Sequence, residues 1–296
     1  MEWSMNMMRN TTSELYHHGI LGQKWGKKNG PPYPLNPSDH SASEKKAGWQ
    51  NSINKTNNDF YRESSKKIKQ NSDGSLTVPK GFVFNRVGKN TMQIRTNETG
   101  GLFVSSGKAD AARYIKIYGY DLVNTLFHNT REAIQHISVV ESLRVPSESQ
   151  TVSETGQYLK DHPDAVDALN EGLLGTLLTR ETTKLSPENI EQMINNPDKL
   201  GSKQIAYIVN ASLVLSDDYR EFILGYYEHF KNSGFDAIPD LHDIYDGKSE
   251  TAMVVINPNK LKVYETTVLT KDVYKAGKDY VKSLEKLPVS EVYKKL

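Results

Sequence analysis

Asp236, Asp240, His242, Asp243 and Asp246 set four carboxylates around one imidazole within a short stretch of chain. Carboxylate oxygens with a ring nitrogen can surround a divalent cation, so the run could hold one. The plainer alternative is a polar loop between strands. His17-His18 offers two further imidazoles, but no third ligand follows at metal-site spacing. We assign a metal to neither group. The chain contains no cysteine, which excludes a thiolate zinc site, a thiol nucleophile and a disulfide framework. Gly100-Gly101 lacks the flanking pattern of a phosphate-binding loop. His128, His136 and His229 stand at isolated positions on predicted helices and read as ordinary surface or core residues.

The bulk properties narrow the setting. A chain of 296 residues suffices for one large domain or two small ones. Lys plus Arg total 37 against 36 for Asp plus Glu, so net charge gives no electrostatic case for a nucleic-acid or membrane partner. Hydrophobic residues make up 36%, which predicts that part of the chain lies outside any core. Residues 1–10 are polar and do not read as a signal peptide. Apolar runs such as residues 252–256 are too short to span a bilayer. The absence of cysteine fits a reducing interior or a virion and excludes neither.

The elements that must carry any site follow from periodicity. Residues 1–50 form a largely irregular arm, with a short helix at 39–49, and residues 51–75 form a linker or weakly amphipathic charged helix. Strands are predicted at 78–86, 91–96 and 102–105. Residues 108–118 have helical spacing, with Ala111, Ala112, Ile115 and Tyr118 on one face and Gly119 as a breaker. The middle reads as helical, at 121–138, 163–179, 186–195, 202–215 and 216–231. Strand texture returns at 235–239, at 252–257 and at 261–268, the last being the hairpin partner of 252–257 or a nearby strand. Thr270 caps a final helix at 271–284, within a C-terminal helix and tail at 271–296. Strands, then helices, then strands indicate an α+β fold.

Two segments carry resemblances. His17-His18-Gly19-Ile20-Leu21-Gly22-Gln23-Lys24-Trp25-Gly26, followed by Gly30-Pro31-Pro32-Tyr33-Pro34, resembles a signature near the N-termini of many proteins of Gram-positive phages and prophages. It implies viral origin more than activity. Trp and Tyr side chains can bury large areas with few rotatable bonds, so Trp25 and Tyr33, with His17, His18 and Lys24, are candidate partner-binding residues. The partner would be a host or virion protein. The alternative is a short flap on the chain's own domain.

The second resemblance is to ADP-ribosyltransferases. Phe82-Val83-Phe84-Asn85-Arg86-Val87 resembles their first strand, Gly101-Leu102-Phe103-Val104-Ser105-Ser106 with Ala109, Ala111, Ala112 and Tyr114 their second element, and Gly234-Phe235-Asp236-Ala237-Ile238-Pro239-Asp240 a later strand. The resemblance implies a β core over 76–270, split by a helical insertion at about 119–232. It also implies NAD as substrate and a catalytic carboxylate at Glu250. Arg86 would anchor the pyrophosphate or ribose, Ser105 or Ser106 would hold the active-site strand or a ribose hydroxyl, and Phe103 or Tyr114 would stack on nicotinamide. The paired Glu-x-Glu of that family is absent, and its Ser-Thr-Ser is reduced to Ser105-Ser106. Each residue has an ordinary alternative. Arg86 could be salt-bridged or solvent-facing, Glu250 a loop carboxylate, Tyr114 core, and Ser105-Ser106-Gly107 a helix cap. The expected function is transfer of ADP-ribose to a host macromolecule, or a virion-packaged form of that activity. The alternative is a non-enzymatic virion structural or accessory protein with the arm used for assembly, and a toxin or defence effector is a third reading.

Overall fold

The computed structural model describes residues 60–97, 99–124, 132–171, 185–199, 220–245 and 248–285. Among them are nine strands in three small antiparallel sheets and seven α-helices, an α+β arrangement. The arm at 1–50, the first part of the linker at 51–59, the helix expected at 202–215 and the later part of that at 163–179 lie outside the described residues; the rest of the linker, 60–75, is irregular apart from a β-strand at Lys69–Gln70.

The central sheet orders β3 (Val83–Lys89), β5 (Glu132–Val139) and β9 (Leu261–Val268), with β5 in the middle. This corrects the later part of the helix expected at 121–138; residues 121–124 are helical and 125–131 lie outside the described residues. Ile134 and Ile137 stand three apart and suggest a helical face, but every residue of β5 except Ser138 is buried. A strand covered on both faces loses the alternation that identifies strands in sequence. The insertion expected at 119–232 is thereby interrupted. β9 takes the second of its two expected roles, pairing with β5 rather than with the strand at 252–257.

A second sheet orders β4 (Leu102–Val104), β8 (Met253–Val255) and β7 (Ala237–Pro239). Its side chains alternate. Leu102, Val104, Met253 and Val255 join Phe84 and Ile137 in a core between the sheets. Phe103, Val254 and Ile238 face a helical layer instead. A third sheet, β1 (Lys69–Gln70), β2 (Leu76–Val78) and β6 (Leu143–Val145), closes the edge of the inter-sheet core.

The helical layer falls between β6 and β7. It contains α2 (Glu148–Asp161), α3 (Pro163–Glu171), α4 (Pro187–Asn195) and α5 (Arg220–Asn232). Ser147 and Gln150 form a reciprocal capping box on α2, and Ser186 caps α4. A Cβ on Gly156 would stand 2.7 Å from that of Met193, so α2 meets α4 only because this residue is glycine.

α1 (Gly107–Asn124) and α7 (Lys271–Glu285) cover the other face of the central sheet, packing Ala111, Ala112, Ile115, Val273 and Val281 around Ile134. α1 runs through Gly119, where a break was expected. One internal glycine costs only about 1 kcal/mol, which a packed helix absorbs. No helix among the described residues is long and apolar enough to cross a membrane.

His136 lies on a strand rather than on the helix expected, and of the two settings expected for it, surface or core, it takes the core. It is fully buried on β5. Asn85 Oδ1 accepts from Arg62 N, and Asn85 Nδ2 donates to Arg62 O, which fixes the amide. His136 Nδ1 therefore carries its proton and donates to Asn85 Oδ1 at 2.9 Å, while Nε2 accepts from Thr267 Oγ1 at 2.7 Å. The network ties the segment before β1 to β3, β5 and β9.

Candidate functional site

Three segments far apart in sequence meet at one end of the inter-sheet core. Asn85 and Ser105 form an antiparallel bridge, with N···O distances of 2.7 and 3.1 Å. This joins β3, at the residue before Arg86, to the end of β4. Val104 pairs with Met253, and two residues further Ser106 N donates to Thr251 Oγ1 at 2.8 Å. Glu250 is the next residue along. Gly107, with φ of +81°, then turns the chain from β4 into α1, a conformation that disfavours any residue with a side chain.

Arg86 pairs with Gln135, and both lie on the face of the central sheet that carries Phe84 and Ile137, beyond its last apolar pair. Arg86 Nη1 donates to Arg95 O at 3.0 Å and approaches Gln135 Oε1 at 3.4 Å. Gln135 Nε2 donates to Thr91 O at 2.8 Å. Residues 91–96, expected to be a strand, are irregular because their carbonyls are spent on these two side chains rather than on a neighbouring strand. Burial pushes the Arg86 guanidinium down from its ordinary value, opposed by Glu132. Burial likewise raises Glu132, opposed by Lys89 and Arg86. A guanidinium partly withdrawn from water gains more from an incoming anion than a fully exposed one does.

The loop at 249–251 is held by Asp110 of α1, whose carboxylate is buried. It accepts from Ser249 Oγ at 2.5 Å, Glu250 N at 3.1 Å, Thr251 N at 3.1 Å and Thr251 Oγ1 at 2.7 Å. Arg113, one turn along, reaches both acids: Nη1 lies 3.3 Å from Asp110 Oδ1 and Nη2 3.6 Å from Glu250 Oε1. The Glu250 side chain is 37% exposed.

The arrangement thus draws the segments of Arg86, Ser105, Ser106 and Glu250 together. Ser105 is buried, and its Oγ lies 3.5 Å from Asn85 O, so it secures the strand junction. Phe103 is turned away, onto the aromatic cluster of the helical layer. Tyr114 donates its hydroxyl to Asp243 Oδ2 at 2.6 Å. Burial, then that hydrogen bond, raises its pKa.

The acidic run divides. Asp240, His242 and Asp243 bring their ligand atoms within 4.8 Å of one another, close to α6 (Leu241–Tyr245). Lys248 Nζ, 3.1 Å from Asp243 Oδ1, supplies positive charge there. Burial works upward on Asp243, but hydrogen bonds from His242, Tyr114 and Lys248 hold it at about 2. Asp236 lies elsewhere, accepting from Arg144 N, Asn257 Nδ2 and Lys260 Nζ beside a cleft of about 520 Å³. Asp246, His128 and the arm residues His17, His18, Lys24, Trp25 and Tyr33 lie outside the described residues.

No family model matches the chain, and neither a curated protein nor a solved structure does. Asp110, Arg113, Glu132 and Gln135 are not among the residues that the sequence marks as candidates. The spacing of Asp110, Arg113 and Tyr114 along one helical face was the available signal for the first two. Gln135 and Glu132 were concealed by the helix expected over β5.

Proposed function

We propose that this chain carries an ADP-ribosyltransferase-type domain that transfers ADP-ribose from NAD to a host macromolecule or within a virion. In this reading the strands form the transferase β core, and the helices between β6 and β7 are its insertion. The supporting observation is the double junction, Asn85 to Ser105 and Ser106 to Thr251, which brings the segments bearing Arg86, the serine pair and Glu250 to one end of the inter-sheet core. Both hydrogen bonds of the Arg86 guanidinium among the described residues are made by Nη1. The rest of that planar fork suits a phosphate oxygen.

The chemistry is a substitution at the ribose carbon that bears nicotinamide. The C–N bond breaks, and its electron pair leaves with nicotinamide, neutralising the pyridinium. The acceptor's nucleophile, or water, bonds to the same carbon and releases its proton. The transition state resembles an oxocarbenium ion, so a nearby carboxylate stabilises it. Glu250 takes that role and Arg86 orients the dinucleotide. Ser105 fixes the strand junction that sets their spacing. The arm's viral signature supports a phage or prophage origin, with Trp25 and Tyr33 anchoring a host or virion protein.

Nicotinamide release by the purified full chain tests the proposal. Arg86→Ala is expected to raise the KM for NAD about tenfold to a hundredfold, the worth of a charge-assisted hydrogen bond. An unchanged KM would remove Arg86 from the site. A chain that releases no nicotinamide in any form would favour the virion scaffold instead.

A further inference from the structure

We infer that Asp110 is a positioning residue for Glu250, holding the main chain of the loop that presents the catalytic carboxylate; this rests on the transfer reaction proposed above. Asp110 contributes nothing to the inter-sheet core and sits on α1, a different element from either strand of the junction. Its carboxylate nevertheless takes up the main-chain N–H of Glu250 itself and of Thr251. It also receives the hydroxyls on either side, Ser249 Oγ and Thr251 Oγ1. Three consecutive residues are fixed by one acceptor group. The same Thr251 Oγ1 accepts from Ser106 N, so the loop is registered against helix and strand together. Arg113 completes the arrangement from the side-chain end, lying between the Asp110 and Glu250 carboxylates. Main chain and side chain of Glu250 are thus both referred to one turn of α1.

The chemistry of the donors explains why an acid stands here. Four N–H and O–H groups converge on two oxygens that donate nothing. An amide would keep one oxygen and turn its own N–H groups towards the same donors. Asp110→Asn is nearly isosteric, so it alters the loop while keeping the helix.

The test compares the full wild-type chain with Asp110→Asn, Asp110→Ala and a control, Asp236→Asn. Asp236 is also a buried carboxylate that fixes a loop, but it acts beyond the other end of β8, bonding Arg144 N, Asn257 and Lys260. In Asp110→Asn, the Glu250 and Thr251 amides are expected to exchange their hydrogens about tenfold faster or more. The kcat for nicotinamide release is expected to fall on the order of tenfold to a hundredfold, with KM for NAD within about twofold. Asp236→Asn is expected to leave exchange at those amides and kcat unchanged. Unchanged exchange in Asp110→Asn overturns the inference, as does an equal fall of kcat in Asp236→Asn. If the wild-type chain releases no nicotinamide, the transfer reading fails, and exchange at the two amides still decides whether Asp110 holds the loop. Should Asp110→Ala fail to fold, Asp110→Asn carries the comparison, with its melting temperature read alongside.

Discussion

Replacing Glu250 by Gln is expected to slow nicotinamide release from NAD by about a hundredfold to a thousandfold, with KM changed only a few-fold. The substitution preserves shape and removes only the charge. The loop's main-chain bonds to Asp110 do not involve the Glu250 side chain, so the loop keeps its course. The ion pair that is lost, to Arg113 at 3.6 Å, is partly exposed and worth at most about 1 kcal/mol. Stability and catalysis are therefore separable in this variant. A full kinetic effect with an unchanged melting temperature is the expected combination. Turnover within a few-fold of wild type would assign the chemistry to another group.

The second large effect is a concealed dependence of stability on pH. Burial, then Arg62, pushes the His136 imidazole down to about 4, against the opposing pull of Glu265. The unfolded chain binds that proton more readily, with an ordinary midpoint near 6.5. Stability from His136 is thus complete above about 6.5 and is lost as pH falls towards 4, by up to about 3 kcal/mol. Asp240 acts in the opposite sense. Burial, then the neighbouring Asp243, pushes its carboxyl up to about 6. The folded chain binds that proton more readily, so acidification from about 6 to about 4 relieves a cost. The two contributions offset in the wild-type chain. His136→Gln is expected to gain stability relative to wild type as pH falls from 6.5 to 4, and Asp240→Asn to lose it, as read by urea unfolding at each pH. Parallel profiles for all three chains would contradict both assignments. Direct titration of the His136 ring by NMR is expected to give a midpoint near 4.

How much of this was legible beforehand differs by element. α4 was readable because Ser186-Pro187-Glu188 is a local start signal, and the cap it predicts is present. α7 was readable through Thr270, whose Oγ1 accepts from Val273 N. β8 and β9 were readable from apolar texture and the Pro258-Asn259 turn. β5 was not, because a central strand buried on both faces has no polar alternation to betray it. The helical texture of this strand conceals Gln135, Glu132 and the true surroundings of His136. Residues 91–96 failed for a related reason: their carbonyls bond to side chains of β3 and β5, an arrangement without period. Arg86, Ser105 and Glu250 were suggested by resemblance, and the junctions that gather their segments depend on Asn85 and Thr251, which nothing in the sequence marked. The helical spacing of Asp110 and Arg113 marks a shared face, but the hold of Asp110 on the 249–251 loop is legible only in three dimensions, since its donors lie more than a hundred residues along the chain.

Adding NAD to the isotopically labelled full chain, and following amide resonances residue by residue, bears most directly on whether a dinucleotide sits at this end of the inter-sheet core. The expected result is saturable shifts at Arg86, Gln135, Ser106 and Glu250, with little change at Lys231 and Lys260 around the separate cleft. Shifts confined to that cleft, or none at millimolar NAD, would contradict it.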